Sequence, residues 1–142
     1  MSEAILHEEY EVAQDDYVNA GKASSQIKDL LKQVGIDPKV LRNIAVACYE
    51  AEINLVIHAY GGKIVLDLMD DGTVKLVFLD KGPGIEDLEK AMTPGFSTAD
   101  EEARSMGFGA GMGLPNIKRV SDTFDIKTSP KGTVLSISFK GA

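Results

Sequence analysis

From Ile44 to Tyr60 the chain reads IAVACYEAEINLVIHAY, with no glycine or proline before Gly61. A run that long, apolar nearly all round and free of breakers, reads as a buried helix around which other elements must pack. Four polar side chains interrupt it: Glu50, Glu52, Asn54 and His58. Glu50, Asn54 and His58 recur at intervals of four and share one helical stripe, whereas Glu52 points elsewhere and is expected to be solvated or salt-bridged. A carboxylate, an amide and an imidazole in so apolar a helix cost about 1–3 kcal/mol each unless partnered. The stripe is therefore a satisfied core network, a wet helix edge, or the floor of a ligand site.

The rest of the chain narrows that choice. Its 142 residues, 44% of them hydrophobic, suit one globular domain over 1–142 with a sizeable core. The net charge of -7 argues against a direct nucleic-acid or anionic-membrane binder. A nucleotide remains compatible, because backbone N–H groups and Mg²⁺ can hold phosphates without a basic surface. Cys48 is the only cysteine, which excludes an intrachain disulfide and fits a reducing cytoplasm. The acidic N-terminus lacks a signal-peptide pattern, and no apolar run approaches the about 18 residues of a membrane span. A cytoplasmic domain is expected.

In order, Ile5 to Ala13 predicts a first strand at a sheet edge. Asp15 or Asp16 is expected to cap a helix running to about Val34, with Val18, Ile27, Leu30, Leu31 and Val34 inward and Gly35 ending it. Asp37-Pro38 supplies a cap and first-turn proline for the long helix, which Gly61-Gly62 closes. Lys63 to Met69 and Thr73 to Leu79 are β-branched, apolar runs joined by Asp70-Asp71-Gly72, an antiparallel hairpin signal. Lys81 to Leu114 holds seven of the chain's 14 glycines, with a short helix expected near Glu86 to Met92. A helix started by Pro115 over Leu114 to Ser121 follows, then strands Phe124 to Thr128 and Thr133 to Phe139. This order predicts an α+β two-layer fold, helices covering one face of a mixed, mostly antiparallel sheet.

Three local patterns stand in a telling order: Glu50-x-x-x-Asn54 on the long helix, Asp80-Lys-Gly82-Pro-Gly84-Ile85 at a strand end, and Gly107-Phe-Gly109-Ala-Gly111-Met112-Gly113 before a helix. Together they resemble the N, G1 and G2 boxes of the GHKL ATPase superfamily, with its Bergerat fold, over nearly the whole chain. Pro94-Gly-Phe-Ser-Thr98, Gly111-Met-Gly-Leu114 and Lys131-Gly-Thr-Val134 look like the anti-sigma factor serine kinases, especially the switch kinases of stress-response complexes.

The resemblance implies ATP and Mg²⁺ as ligands. It makes Asn54 the metal ligand through its amide oxygen, Glu50 the base for an attacking hydroxyl, and Asp80 the acceptor for the adenine amino group, with Gly82, Gly84 and Ile85 beside the base. Gly107, Gly109, Gly111, Met112, Gly113 and Leu114 would turn N–H groups to the phosphates at a helix N-terminus, with Thr98 in the same nucleotide-binding set. Arg104 is the candidate for a lid arginine on the terminal phosphate. Thr133 matches the family's Gly-Thr step near the adenine, or is an ordinary hairpin threonine. Residues 93–112 are expected to form a lid. The implied activity is serine/threonine protein kinase acting on a STAS-domain antagonist, with a sigma factor or phosphatase as further partners and a homodimer through the first strand as an option. The alternatives are a nucleotide-controlled binding switch without kinase activity, or a stand-alone ATPase. The lack of a dimerisation helix bearing a phospho-acceptor histidine disfavours a histidine kinase.

Overall fold

The computed structural model describes residues 3–13, 18–58, 61–80, 113–129 and 131–140. Five strands, β1 (Ala4–Val12), β2 (Gly62–Met69), β3 (Val74–Asp80), β4 (Thr123–Ser129) and β5 (Gly132–Phe139), form one sheet in the order β1-β2-β3-β5-β4. Three helices, α1 (Lys22–Gln33), α2 (Pro38–His58) and α3 (Gly113–Val120), complete the described elements. The α+β expectation holds. All four described pairings are antiparallel, so no parallel pair of a mixed sheet occurs among the described residues.

Strand alternation sets the layers. Ile64, Leu66 and Leu68 of β2, Val74, Leu76 and Phe78 of β3, and Leu135, Ile137 and Phe139 of β5 are buried. They join Ile27 and Leu31 of α1, Ile44, Ala47, Cys48, Ala51 and Leu55 of α2, and Ile117 of α3 in a single core. Intervening residues such as Lys63, Asp67, Lys75 and Ser136 lie on the opposite, more accessible face, the pattern of a sheet covered on one side only. Each fully buried Leu, Ile or Phe contributes about 1.5–3 kcal/mol, so this face fixes the register. β1 is an edge strand, as expected, and its charged residues suit that position.

Local signals account for most boundaries. Asp37 accepts the Lys39 N–H at 2.8 Å through Oδ1 and caps α2 ahead of Pro38. Gly35, at φ 86°, closes α1 with Gly35 N–H donating to Lys32 O and Ile36 N–H to Leu31 O, the paired bonds of a Schellman ending. The turn after β2 is held by the Thr73 N–H on Asp71 Oδ1 at 2.9 Å.

Three expectations need correction. α1 begins at Lys22, with residues 18–20 in a turn, and not near Asp15 or Asp16, which lie outside the described residues. Val18 is 93% exposed and Val34 47% exposed, so neither belongs to the inward stripe, while Ile27 and Leu31 are buried as expected. α2 is not buried all round: Val46 and Tyr49 are exposed. The short helix expected near Glu86 to Met92 lies outside the described residues. No helix among those described is long and apolar enough to cross a membrane.

Candidate functional site

The C-terminal half of α2 packs on the sheet through Ala51, Leu55 and Val56, all buried, and turns Glu50 and Asn54 to its partly accessible side. The two are one turn apart on one stripe. Burial pushes the Glu50 carboxyl above its ordinary value, and a hydrogen bond from the Asn116 side chain of α3 pulls it part of the way back. Asn116 is itself engaged from behind, its Oδ1 accepting from Arg119 Nη2 at 3.2 Å. The stripe is therefore half-accessible at both Glu50 and Asn54.

The second part of the site lies where β3 ends. Register pairs Gly62 with Asp80 and Leu79 with Val134, so the start of β2, the end of β3 and the start of β5 share one end of the sheet. Asp80 Oδ1 accepts the Thr133 N–H at 2.7 Å, a side-chain carboxylate standing in at the last rung of the β3–β5 ladder. Thr133 is buried, and its hydroxyl pairs with that of Thr128 at 2.9 Å. Gly62 makes the close approach possible: a Cβ there would lie 2.1 Å from Leu79 O and 3.0 Å from Leu55 Cδ2. The same contact brings the α2 turn carrying Asn54 to the strand end carrying Asp80.

Glu52 departs from expectation. It is only 2% exposed, neither solvated nor salt-bridged, and accepts four hydrogen bonds from the start of α1. These come from the Gly21 N–H at 2.9 Å, the Ala23 N–H at 3.4 Å, and Ser24 through its N–H at 2.8 Å and Oγ at 2.6 Å. α1 needs this. Its N-cap is Gly21, with no side-chain cap and no acidic residue in the first turn, so its orphan N–H groups are satisfied from another helix. Cys48 lies one turn away, wholly buried, and desolvation raises its thiol far above the ordinary value. It is a core residue with no thiolate to offer.

Of the residues proposed from sequence, the structure brings together Glu50 and Asn54 on α2, and Asp80 with Thr133 at the sheet end. Gly113 and Leu114 open α3, one residue earlier than expected, with Pro115 third and not first. Leu114 is buried under that helix. Gly82, Gly84, Ile85, Thr98, Arg104, Gly107, Gly109, Gly111 and Met112, with the whole span expected to form a lid, lie outside the described residues, and His58 closes α2 without a described side chain. Sequence reasoning missed Asn116. Its only signal was an amide, a poor helix former, inside a short helix.

In a two-layer α+β fold, the helix covering the sheet thus carries an acid and an amide one turn apart, near a strand-terminal aspartate. Residues 13–139 match the histidine kinase-like ATPase domain model, and the chain belongs to that family, within the GHKL superfamily. It is 36% identical over 110 residues to an anti-sigma F factor of Caldanaerobacter subterraneus, covering 72% of this chain and 73% of that one. It is 31% identical over 104 residues to the serine/threonine-protein kinase RsbT of Bacillus subtilis, covering 71% and 72%. Among solved structures it resembles the RsbU and RsbW domains of a Mycobacterium tuberculosis protein, with a TM-score of 0.63 at 18% identity, over 94% of this chain and 32% of that one. It also resembles a chain of the SiaB–SiaC complex of Pseudomonas aeruginosa, with a TM-score of 0.52 at 13% identity, over 95% and 89%. This chain thus spans about a third of the solved mycobacterial chain, and both likenesses concern the fold.

Proposed function

We propose that this protein is an ATP- and Mg²⁺-dependent serine/threonine protein kinase that acts as an anti-sigma regulatory switch and phosphorylates a STAS-domain antagonist. The observation that carries the chemistry is Glu50, half-buried and one turn before Asn54, on the helix beside Asp80. The regulatory half of the reading is supported by relatives named anti-sigma F factor and serine/threonine-protein kinase, each matched over more than two thirds of its length.

The residues fit the ligands. Asp80 is already anchored as an acceptor by the Thr133 N–H, which suits a carboxylate presented to the exocyclic amine of adenine. Among the described residues no three His, Cys, Asp or Glu side chains converge on a metal position. In this reading a cation held by Asn54 would share its coordination with phosphate oxygens, as Mg²⁺ does. When bound, Mg²⁺ neutralises phosphate charge during transfer. Glu50 takes the proton of the attacking serine or threonine hydroxyl, assistance worth about 10²–10⁴-fold. The glycines Gly107, Gly109, Gly111 and Gly113 present N–H groups to the phosphates ahead of α3, with Arg104 directed at the terminal phosphate. Such a protein works in the cytoplasm, with a sigma factor or phosphatase as further partners and a homodimer as its assembly.

The test pairs affinity with transfer. Glu50→Gln should bind ATP within a few-fold of the unmutated protein yet slow γ-phosphate transfer to retained partner proteins by about 10²–10⁴-fold. Asn54→Ala should abolish metal-dependent ATP binding, and Asp80→Asn should erase discrimination against GTP. If the unmutated protein binds Mg·ATP but labels no partner, the nucleotide-controlled binding switch replaces the kinase reading.

A further inference from the structure

The exposed residues described on α2 are Pro38, Lys39, Arg42, Val46 and Tyr49, and their spacing puts all five on one helical face. That face carries two cations and no acid. Glu50 borders it half-buried, and Glu52 is buried. The next residue along the stripe, Ile53, is buried too, so the open face runs for about three turns. The neighbouring helix has the same character: Lys22, Lys28 and Lys32 are exposed on α1 against a single acid, Asp29. Asp37, between the helices, is engaged in capping α2. The outer face of this helical hairpin is therefore net positive on a chain of net charge -7, while Glu8, Glu9 and Glu11 stand on the edge strand β1. Four of the six exposed large apolar side chains among the described residues, Val18, Val34, Val46 and Tyr49, also belong to the hairpin or adjoin it. The Tyr49 ring is 40% exposed and lies over Gly21, where a Cβ would come 3.0 Å from Cε1. Bare backbone thus seats the ring at the surface, outside the core.

We propose that this face of α2 docks an acidic amphipathic helix of a partner protein. The partner's apolar stripe covers Val46 and Tyr49, and its carboxylates meet Arg42 and Lys39. From Lys39 to Tyr49 the helix rises about 15 Å, a length that one partner helix spans with anchors at i, i+3, i+4 and i+7. Tyrosine and arginine are the side chains that most often dominate binding energy at such interfaces. Charge decides among the possible occupants. A second copy would set one net-positive face against another across a two-fold axis. An extended polyanion such as nucleic acid would meet two cations here and a chain of net charge -7 around them. An acidic helix matches both the cations and the apolar positions. The proposal goes beyond the nucleotide reading and does not depend on it.

The experiment uses the whole chain and two synthetic peptides of about 18 residues, long enough to form a helix. Both carry leucine at i, i+3, i+4 and i+7; one has glutamate at the flanking positions and the other lysine. Binding is read by fluorescence anisotropy, and the contact surface by amide shifts in NMR spectra. The glutamate peptide should bind, with shifts centred on Lys39, Arg42, Val46 and Tyr49, and the lysine peptide should bind at least about tenfold more weakly. Lys39→Glu with Arg42→Glu should weaken the glutamate peptide by about tenfold or more and remove its salt dependence. Val46→Glu should weaken it to a similar degree. All three positions are exposed, so the urea midpoint and ATP affinity should stay in place. Failure of the glutamate peptide to bind, equal binding of the two peptides, shifts that fall outside α2, or indifference to the charge reversals would overturn the proposal. So would a dimer in sedimentation that Val46→Glu dissolves, which makes a second copy the occupant, or binding of duplex DNA with the same sensitivity to Arg42→Glu.

Discussion

Replacing Glu52 should be among the most damaging single changes in the described structure, although the residue takes no part in the chemistry. Its carboxylate, 2% exposed, serves the Gly21, Ala23 and Ser24 N–H groups and the Ser24 hydroxyl. In Glu52→Ala the hydroxyl can turn to a backbone carbonyl of its own helix, and the 3.4 Å contact with Ala23 contributes little. Two well-formed backbone donors remain stranded in an apolar setting, at about 1–3 kcal/mol each. Loss of the charge opposite the helix dipole adds about 0.3–1 kcal/mol. The total is about 3–5 kcal/mol, comparable to removing one partner of a buried charged pair and a large part of the 5–15 kcal/mol that stabilises a typical domain. Glu52→Gln keeps the shape and one acceptor but points NH₂ at donors, and should cost about 2–3 kcal/mol. Urea unfolding measures both, and hydrogen exchange should localise the loss to residues 21–27. A Glu52→Ala protein whose unfolding free energy falls by less than about 1 kcal/mol would refute the reasoning, since a buried acceptor cannot be that dispensable.

Three further changes have defined outcomes. Gly21→Ala forces a side chain into φ 93° and against the Tyr49 ring, 3.0 Å from Cε1; the cost should be about 1–3 kcal/mol in urea unfolding, with Tyr49 fluorescence altered. Gly62→Ala would drive a Cβ to 2.1 Å from Leu79 O, unpairing β2 from β3 beside Asp80, and should cost about 3 kcal/mol with ATP affinity falling alongside. On the open face of the sheet, His7 bonds Glu9 and Asp67, and Lys63 pairs with the same Glu9. The His7 pKa is raised, chiefly by the Glu9 hydrogen bond and then by Asp67, so its contribution is complete below the ordinary value of about 6.5 and is lost as pH climbs through the raised folded value. Glu9 is lowered, first by Lys63 and then by His7, so its share is present above the ordinary carboxylate range and lost as pH falls through the folded value. Unfolding midpoints between about pH 6 and pH 9 should decline less in His7→Ala than in the unmutated chain.

How much was legible from sequence depends on whether the cause was local. The Asp37-Pro38 cap, the Asp71-Gly72 hairpin and the largely apolar run of α2, free of glycine and proline, are local, and each element appears where its residues put it. The start of α1 was not legible, because the acceptor that caps it comes from a residue 28 to 31 positions away. With a local aspartate available, sequence reasoning placed the cap at Asp15 or Asp16 and assigned Val18 to the core. Glu52 was misjudged for the same reason from the other side: periodicity says which way a side chain points but not what waits there. Among the candidate residues, Glu50, Asn54 and Asp80 were singled out through spacing and resemblance. The Asn116 contact required knowing that α3 packs on α2.

The arrangement of Glu52 and α1 also has a kinetic meaning. A short helix that carries its own cap can flicker into existence before anything docks against it, since its nucleus is local. α1 lacks that independence, because its first turn closes only once α2 stands beside it and the intervening chain has folded back. Its ending, by contrast, is sealed from within by the Gly35 turn. Assembly of this layer is therefore directional: the α1 C-terminus and the start of α2 form early as a helical hairpin across residues 34–37, and the α1 N-terminus is the last part to set. In the finished protein the same order runs in reverse. The first turn of α1, held by Glu52 through Gly21 and Ser24, should be the first part of this layer to open, while the helix bearing Glu50 and Asn54 keeps its place.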